Sequence, residues 1–294
     1  MSDQPVRHYT LQDHMIHSRL PVHVQMARHS VDFHIHSHDF SELIIVLAGE
    51  ACHLVGEHTY PLKQGDLFVV HPGVPHGFSD TDRLRLLNIM FSLEKPLFDL
   101  NPVKSLPGFH RFFTLDPMLR RTGGFRSGLS LKEEQWDAVT GLAYRMHREY
   151  SGGEPGFEGM ITALFQELVI TLSREKSSGT SDAAPGTDPL ARAIVYLQEH
   201  FRDKVTSEEI AAAACVTPRH LNRLFSTILS TTPFEYLTDL RLQEARRLLA
   251  REPLRITEAA ERCGFSDSNY FSRVFRRRYG ISPRAFREAS GDRF

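Results

Sequence analysis

The chain has few cysteines and no long hydrophobic run. Cys52, Cys215 and Cys263 are three scattered residues in 294, without a CxxC pair, which excludes a disulfide framework and a cysteine-held zinc knot. Cys215 and Cys263 are expected to be small buried residues. Nowhere do about 18 apolar residues run together, so no membrane-spanning helix is predicted. The first 25 residues mix charges and histidines instead of carrying the apolar core of a secretion signal. A soluble, cytoplasmic protein with no membrane partner is the expectation. An excess of either charge is lacking as well, with 35 Lys and Arg against 36 Asp and Glu, but the balance is uneven along the chain. Residues 189–294 carry 18 basic against 13 acidic side chains, net +5, and residues 1–188 carry 17 against 23, net −6. An excess of this size fits a phosphate-facing surface and, equally, an ordinary solvated one.

What is present is the composition of a globular protein, 41% hydrophobic and 24% charged, in a chain long enough for two domains. Its clearest feature is an internal repeat. An offset of 50 residues relates Phe225 to Phe275, Leu221 to Phe271, Arg223 to Arg273, Arg219 to Asn269, and Thr232-Pro233 to Ser282-Pro283. In the first copy, Ser207 to Ala214 reads as a short helix, Cys215 to Thr217 as a turn, and Pro218 to Leu229 as a second helix. Thr217 is placed to cap that helix and Pro218 suits its first turn. In the second copy the helices are Thr257 to Cys263 and Asp267 to Tyr279, with a turn one residue longer.

Leu221, Leu224, Phe225 and Ile228 recur at helical spacing, as do Phe271, Val274 and Phe275, and mark buried stripes. The opposite faces carry Arg219, His220, Asn222 and Arg223 in one copy. In the other they carry Asp267, Ser268, Asn269, Ser272, Arg273, Arg276 and Arg277. Arg can bridge two acceptors on guanine and Asn can pair with adenine, so these residue types early in a helix suit a major-groove reader. One such helix could be an ordinary solvated face. Two copies in register are hard to reconcile with that.

Arg241-Leu242, Ala245, Leu249, Ile256, Ala259-Ala260, Cys263-Gly264-Phe265, Tyr270-Phe271, Phe275, Gly280 and Ser282-Pro283 resemble the C-terminal signature of the AraC family of bacterial transcription regulators. The resemblance implies a seven-helix domain whose two recognition helices enter successive major-groove segments of double-stranded promoter DNA. By the family's pattern Arg219, Arg223, Asp267 and Asn269 occupy base-reading positions, and Arg273 and Arg276 suit phosphates.

The first half reads as short strands at Val22–Met26, Phe33–His38, Ser41–Leu47, Cys52–Val55, Leu67–Val70 and Leu84–Phe91, separated by turn residues such as Gly49, Gly56, Gly65-Asp66 and Pro72-Gly73. Such spacing favours a small antiparallel barrel or jelly roll. In an extended strand His34, His36 and His38 fall on one face. The run His36-x-His38-x-x-x-Glu42, with Gly49 after it, resembles the first motif of the cupin superfamily, and Gly65 to His76 resembles the second. Ser30 replaces a usual glycine and Pro72-Gly73 are adjacent rather than separated, departures that bear on the metal more than on the fold. His36, His38, Glu42 and His76 could hold a divalent transition metal with open positions. A metal-free pocket in which His36, His38, Glu42 and His76 hydrogen-bond sugar hydroxyls, with His34 and Phe40 also among its ligand-binding residues, is the other reading. No cofactor is required by the sequence. His29, His53, His58 and His71 are expected to be surface or core residues.

The phrases His38-Asp39-Phe40, Gly65-Asp66-Leu67-Phe68, Pro107-Gly108-Phe109 and Gly264 to Phe271 look most like the L-rhamnose-responsive regulators of the AraC family. That likeness implies a deoxyhexose or other small sugar effector, with Asp39 and Phe40 near the mouth of the pocket. The expected fold is therefore α+β in two domains. Residues 1–20 form an arm, 21–128 a sensing barrel, 129–174 a helical region, 175–188 a Ser-, Gly- and Pro-rich linker, and 189–294 the DNA-binding domain. Residues 97–128, rich in Pro and Gly, read as an irregular crossover. Helices at 132–150 and 157–174 are expected to serve as a homodimer seam, as comparable helices do in the family. The function expected is a non-enzymatic, effector-controlled transcription activator, with Glu258 and Glu261 as candidate contacts to RNA polymerase. A metal-dependent cupin dioxygenase or sugar isomerase fused to a DNA-targeting module is the alternative.

Overall fold

The computed structural model describes residues 6–14, 20–93, 96–123, 131, 133–174 and 187–291. They divide into two compact units, Met1–Thr187 and Asp188–Phe294. The expected linker falls almost wholly outside the described residues.

The first unit is built on one seven-stranded sheet of order β1-β3-β7-β4-β5, with β2 paired to β7 and β6 to β4. Its strands are β1 (Arg7–Tyr9), β2 (Val22–His29), β3 (Phe33–His38), β4 (Ser41–Val55), β5 (His58–Lys63), β6 (Leu67–Val70) and β7 (His76–Phe91). A single turn, α1 (Leu11–His14), follows β1. The run Leu43-Ile-Ile-Val-Leu47 lacks the alternation of a half-exposed strand because both faces of β4 are covered. Leu43, Ile45 and Leu47 join a core shared with helices, whereas Ile44 and Val46 join the inner core with Val55, Phe68, Val70 and Phe78.

Within the expected arm residues 6–14 are described: β1 pairs in parallel with β3, and the Asp39 Oδ1 accepts from the Leu11 N–H of α1 at 2.8 Å. Two expectations are corrected. Gly49 does not end a strand. β4 runs through it with register shifts against β7 between Val46 and Cys52, and Gly49 adopts φ +80° where a Cβ would meet the carbonyl oxygens of Asp82 and Arg83. The glycine therefore marks a bulge that bends a long strand. Residues 97–121 are not irregular either. They form α2 (Asn101–Lys104), α3 (Pro107–His110), a π-helical turn (Arg111–Leu115) and α4 (Asp116–Arg121). Each of the three short helices has proline in its first turn, so residues that read as breakers are helix starters.

Two longer helices, α5 (Glu133–Gly152) and α6 (Phe157–Arg174), pack their apolar stripes on the outer face of the sheet. Val139, Leu142, Ala143 and Met146 of α5 and Ile161, Leu164, Phe165 and Leu168 of α6 are buried there.

The second unit comprises α7 (Thr187–Glu199), α8 (Ser207–Ala213), α9 (Pro218–Leu224), α10 (Pro233–Arg251), α11 (Ile256–Arg262), α12 (Ser268–Tyr279) and α13 (Pro283–Gly291), with a π-helical turn (Phe225–Leu229) extending α9. The repeat is visible in its hydrogen bonds. Val216 N–H donates to Ala211 O and Phe265 N–H to Ala260 O, both at 3.0 Å, closing the two turns alike. Thr232 caps α10 in a reciprocal box with Glu235, and the Ser282 hydroxyl accepts from Ala285 N–H at 3.2 Å. Cys215 corrects another expectation: it is exposed, because it occupies the turn at φ +57°, whereas Cys263 is buried.

Candidate functional sites

The first site lies on the inner face of the sheet. β3 and β7 pair so that His36 and His76 are directly opposite, and their ring centroids are 4.2 Å apart. Glu42 reaches them from β4. One ligand atom from each of His36, Glu42 and His76 lies within 4.8 Å of the other two, and all three residues are buried. His38 stands beside this set: its Nε2 is 3.4 Å from Glu42 Oε2, and the His76 Nε2 is 3.5 Å from the same oxygen.

The tautomers follow from the backbone. His36 Nδ1 bonds the His34 carbonyl at 3.1 Å, His38 Nδ1 the Phe40 carbonyl at 2.7 Å, and His76 Nδ1 the Val74 carbonyl at 3.1 Å. A carbonyl only accepts, so each Nδ1 carries a proton, and in the neutral form of the ring Nε2 keeps its lone pair. Burial pushes the Glu42 carboxyl upward, but the His38 and His76 side chains beside it outweigh that and hold it well below the usual carboxylate range. Burial, aided by neighbouring His76, lowers His36 to about 4. Neutral imidazoles facing an ionised carboxylate are an array of acceptors, and backbone-anchored Nδ1–H groups are how metal-binding histidines are oriented. The residues thus fit a divalent transition metal with open coordination positions.

These residues lie on or beside the strands that the sequence pattern predicts, and two of them have settings it does not convey. His34 is exposed and bonds the Tyr9 hydroxyl at 3.3 Å, its ring centroid 5.9 Å from that of His36, with the β3–β7 register shifting between Phe33 and His36. Phe40 does not stand open at a mouth. It is buried and stacks on His38 at 4.1 Å with the planes 7° apart. What the sequence did not signal is the rest of the polar interior. His23 Nδ1 bonds Tyr150 Oη at 3.1 Å, its Nε2 is 3.2 Å from Gln25 Oε1, and Gln25 pairs across strands with Asn88.

The second site is the pair α9 and α12. Leu221, Leu224 and Phe225, and equally Phe271, Val274 and Phe275, are buried. Arg219, Asn222 and Arg223 of α9 are exposed, with His220 half-buried. In the second motif Asp267, Asn269, Arg273 and Arg276 are exposed and Ser268 is half-buried. Two of these polar side chains are already engaged: Asn222 Nδ2 donates to the Pro218 carbonyl at 3.0 Å, and Asp267 Oδ1 caps α12 by accepting from Asn269 N–H at 2.8 Å. Thr217 caps α9, accepting from His220 N–H at 3.3 Å.

Two units with these contents have recognisable relatives. Residues 210–289 match the family model described as helix-turn-helix domain, and residues 22–90 match the cupin domain. The HTH-type transcriptional activators RhaS of Salmonella typhimurium and Salmonella typhi are each 30% identical over 272 residues, 92% of this chain and 93% of theirs. The chain belongs to the AraC family of transcription regulators. Among solved structures, an AraC-type regulator from Chromobacterium violaceum shares 31% identity over 36% of this chain and 95% of its own, with a TM-score of 0.34. The DNA-binding domain of AdpA in complex with target DNA shares 33% over the same fractions, also with a TM-score of 0.34. By the two family models and its own elements, this family member has a cupin sheet and a helical unit with two helix-turn-helix motifs. No described helix is long and apolar enough to cross a membrane.

Proposed function

We propose that the protein is an effector-controlled transcription activator that binds promoter DNA as a homodimer. The observation that carries the DNA-reading half is the equivalence of the two exposed faces, Arg219 and Arg223 on α9 against Asn269 and Arg273 on α12, each backed by a buried stripe. Arg219, Arg223, Asp267 and Asn269 read bases, and Arg273 and Arg276 hold phosphates. His220, Asn222 and Ser268 border the contact.

The barrel is the sensor. His36, Glu42 and His76 hold a divalent transition metal, with His38 positioning the carboxylate. The metal would supply a Lewis-acidic point for ligand oxygens. The effector is a small sugar such as L-rhamnose, a reading supported by the likeness to RhaS activators and by the polar inner face. His38, His76 and Phe40 line its site, with the exposed His34 beside His36. Tyr144 of α5 and Met160 of α6 are large, exposed apolar side chains on helices otherwise packed inward, which supports a subunit contact there. Activation brings Glu258 and Glu261 of α11 towards RNA polymerase, and the protein works in the cytoplasm.

The test is a thermal-shift screen of sugars with and without Mn2+, Ni2+ or Zn2+, followed by footprinting on the upstream promoter with the best ligand. A sugar that raises the melting temperature and changes promoter occupancy is the expected result. Conversion of that sugar by the metal-loaded protein would instead favour a cupin enzyme.

A further inference from the structure

One residue of the inner face belongs to neither cupin-like motif. His53, in β4, is fully buried, and neither of its ring nitrogens has a hydrogen-bond partner among the described residues. Its register sets it opposite Phe78 of β7 and Tyr60 of β5, so it shares their face of the sheet. The imidazole packs between Phe68, at 4.5 Å between centroids, and Phe78, at 5.4 Å, and meets His76 edge-on at 5.7 Å.

Packing alone does not call for a histidine here. A phenyl ring would fill the same aromatic sandwich without leaving two buried nitrogens unsatisfied. A second atom in the same position is Asn88 Oδ1, buried and without a partner among the described residues, opposite Ile44 and two residues from the neighbour of Glu42. Partnerless polar atoms that line the face next to a candidate metal set point to a ligand that supplies the missing bonds.

The surroundings select its class. Beyond Phe68 lies the Arg120 guanidinium, 4.5 Å over that ring, so a cationic ligand group is disfavoured there. A neutral imidazole offers one donor and one acceptor. A hydroxyl group complements both; a carboxylate can only accept and an ammonium can only donate.

We propose that His53 is a recognition residue for a neutral, polyhydroxylated effector, its two nitrogens pairing with ligand hydroxyl groups beyond the His36, Glu42 and His76 set. The proposal rests on the reading of the barrel as a sugar sensor. The experiment uses full-length wild type, His53→Phe and His53→Gln. A panel of neutral sugars that includes L-rhamnose is screened by thermal shift against wild type, and the sugar with the largest shift is titrated calorimetrically into all three. Ligand-free His53→Phe should melt at or above the wild-type temperature and bind the sugar at least tenfold more weakly, with His53→Gln recovering part of the loss. A His53→Phe protein that melts lower but binds the sugar normally would make His53 structural and overturn the proposal, as would a stable variant with unchanged affinity. Should His53→Phe fail to fold, unchanged affinity in His53→Gln overturns it. If no sugar in the panel shifts wild type, the sugar-sensor reading itself fails and takes this role with it.

Discussion

At the scale of single residues, the barrel is governed by Glu42. A buried carboxylate is unfavourable unless its charge is answered; the nearest groups are the His38 and His76 Nε2 atoms at 3.4 and 3.5 Å, acceptors in the neutral rings, so under the proposed reading the bound cation answers it. Glu42→Gln keeps the shape and removes the charge, so Ni2+ affinity measured by calorimetry is expected to fall by about tenfold or more. His38→Gln should cost less, since His38 orients the carboxylate from outside the closest set. In the helical unit, Arg219→Ala and Asn269→Ala are each expected to cost about 1 to 3 kcal/mol of operator binding and to relax base preference at different positions. Equal loss on all sequences in a gel-shift competition would reassign them to phosphates.

Titration of His23 belongs to the same scale. Burial lowers its pKa below the ordinary 6.5, against the opposing bond from Gln25. The unfolded chain therefore takes up this proton first as pH falls. The stability linked to His23 is fully present above about 6.5 and is lost as pH drops through the lowered folded value. The melting temperature of ligand-free protein is expected to decline between pH 7.5 and 5.5, and His23→Gln should make that decline shallower.

At the scale of elements, the second helix-turn-helix depends on a close approach. Gly264 sits at φ +81°, where a Cβ would lie 2.8 Å from the Arg202 carbonyl oxygen. Arg241 of α10 donates to the carbonyls of Phe201 and Asp203 at 2.6 and 2.7 Å, so the connector after α7 is held by both. Gly264→Ala should destabilise the unit by about 1 to 3 kcal/mol, read in urea unfolding, through forbidden backbone space and the clash together. The equivalent turn of the first motif tolerates Cys215 at φ +57°, so Cys215→Gly should be neutral or mildly stabilising in the same measurement.

Elements also show what sequence patterns convey. The buried stripes of α9 and α12 and the caps at Thr217 and Thr232 were legible because helix period and capping are local. The full lengths of β4 and β7 were not. A bulge at Gly49 looks like a turn until the partner strand is known, and positive φ at Asp80 and Arg83 hides a continuous β7 in the same way. Pro102, Pro107 and Pro117 gave the opposite error, since a proline that ends one helix can equally begin the next.

At the scale of the molecule, two compact units divide the work, and the proposal assigns subunit contact to the first. Tyr144→Arg combined with Met160→Glu places charges on the exposed apolar positions of α5 and α6. Sedimentation equilibrium should then show a shift from dimer to monomer and, with it, weaker cooperative promoter binding. An unchanged dimer would move the seam elsewhere.

The sequence alone determined the doubled helical reader, its inward and outward faces and the strand-borne His and Glu motif, because each is written in local spacing. Only the tertiary structure decided which histidines meet. His36 joins His76 through the β3–β7 register, Glu42 arrives from a third strand, and His34, across a register shift, stays exposed. His53 comes to lie beside His76 although 23 positions separate them in the chain. Cross-strand register is a long-range property: it is set by which strands pair and where they bulge, and spacing along one strand does not encode it.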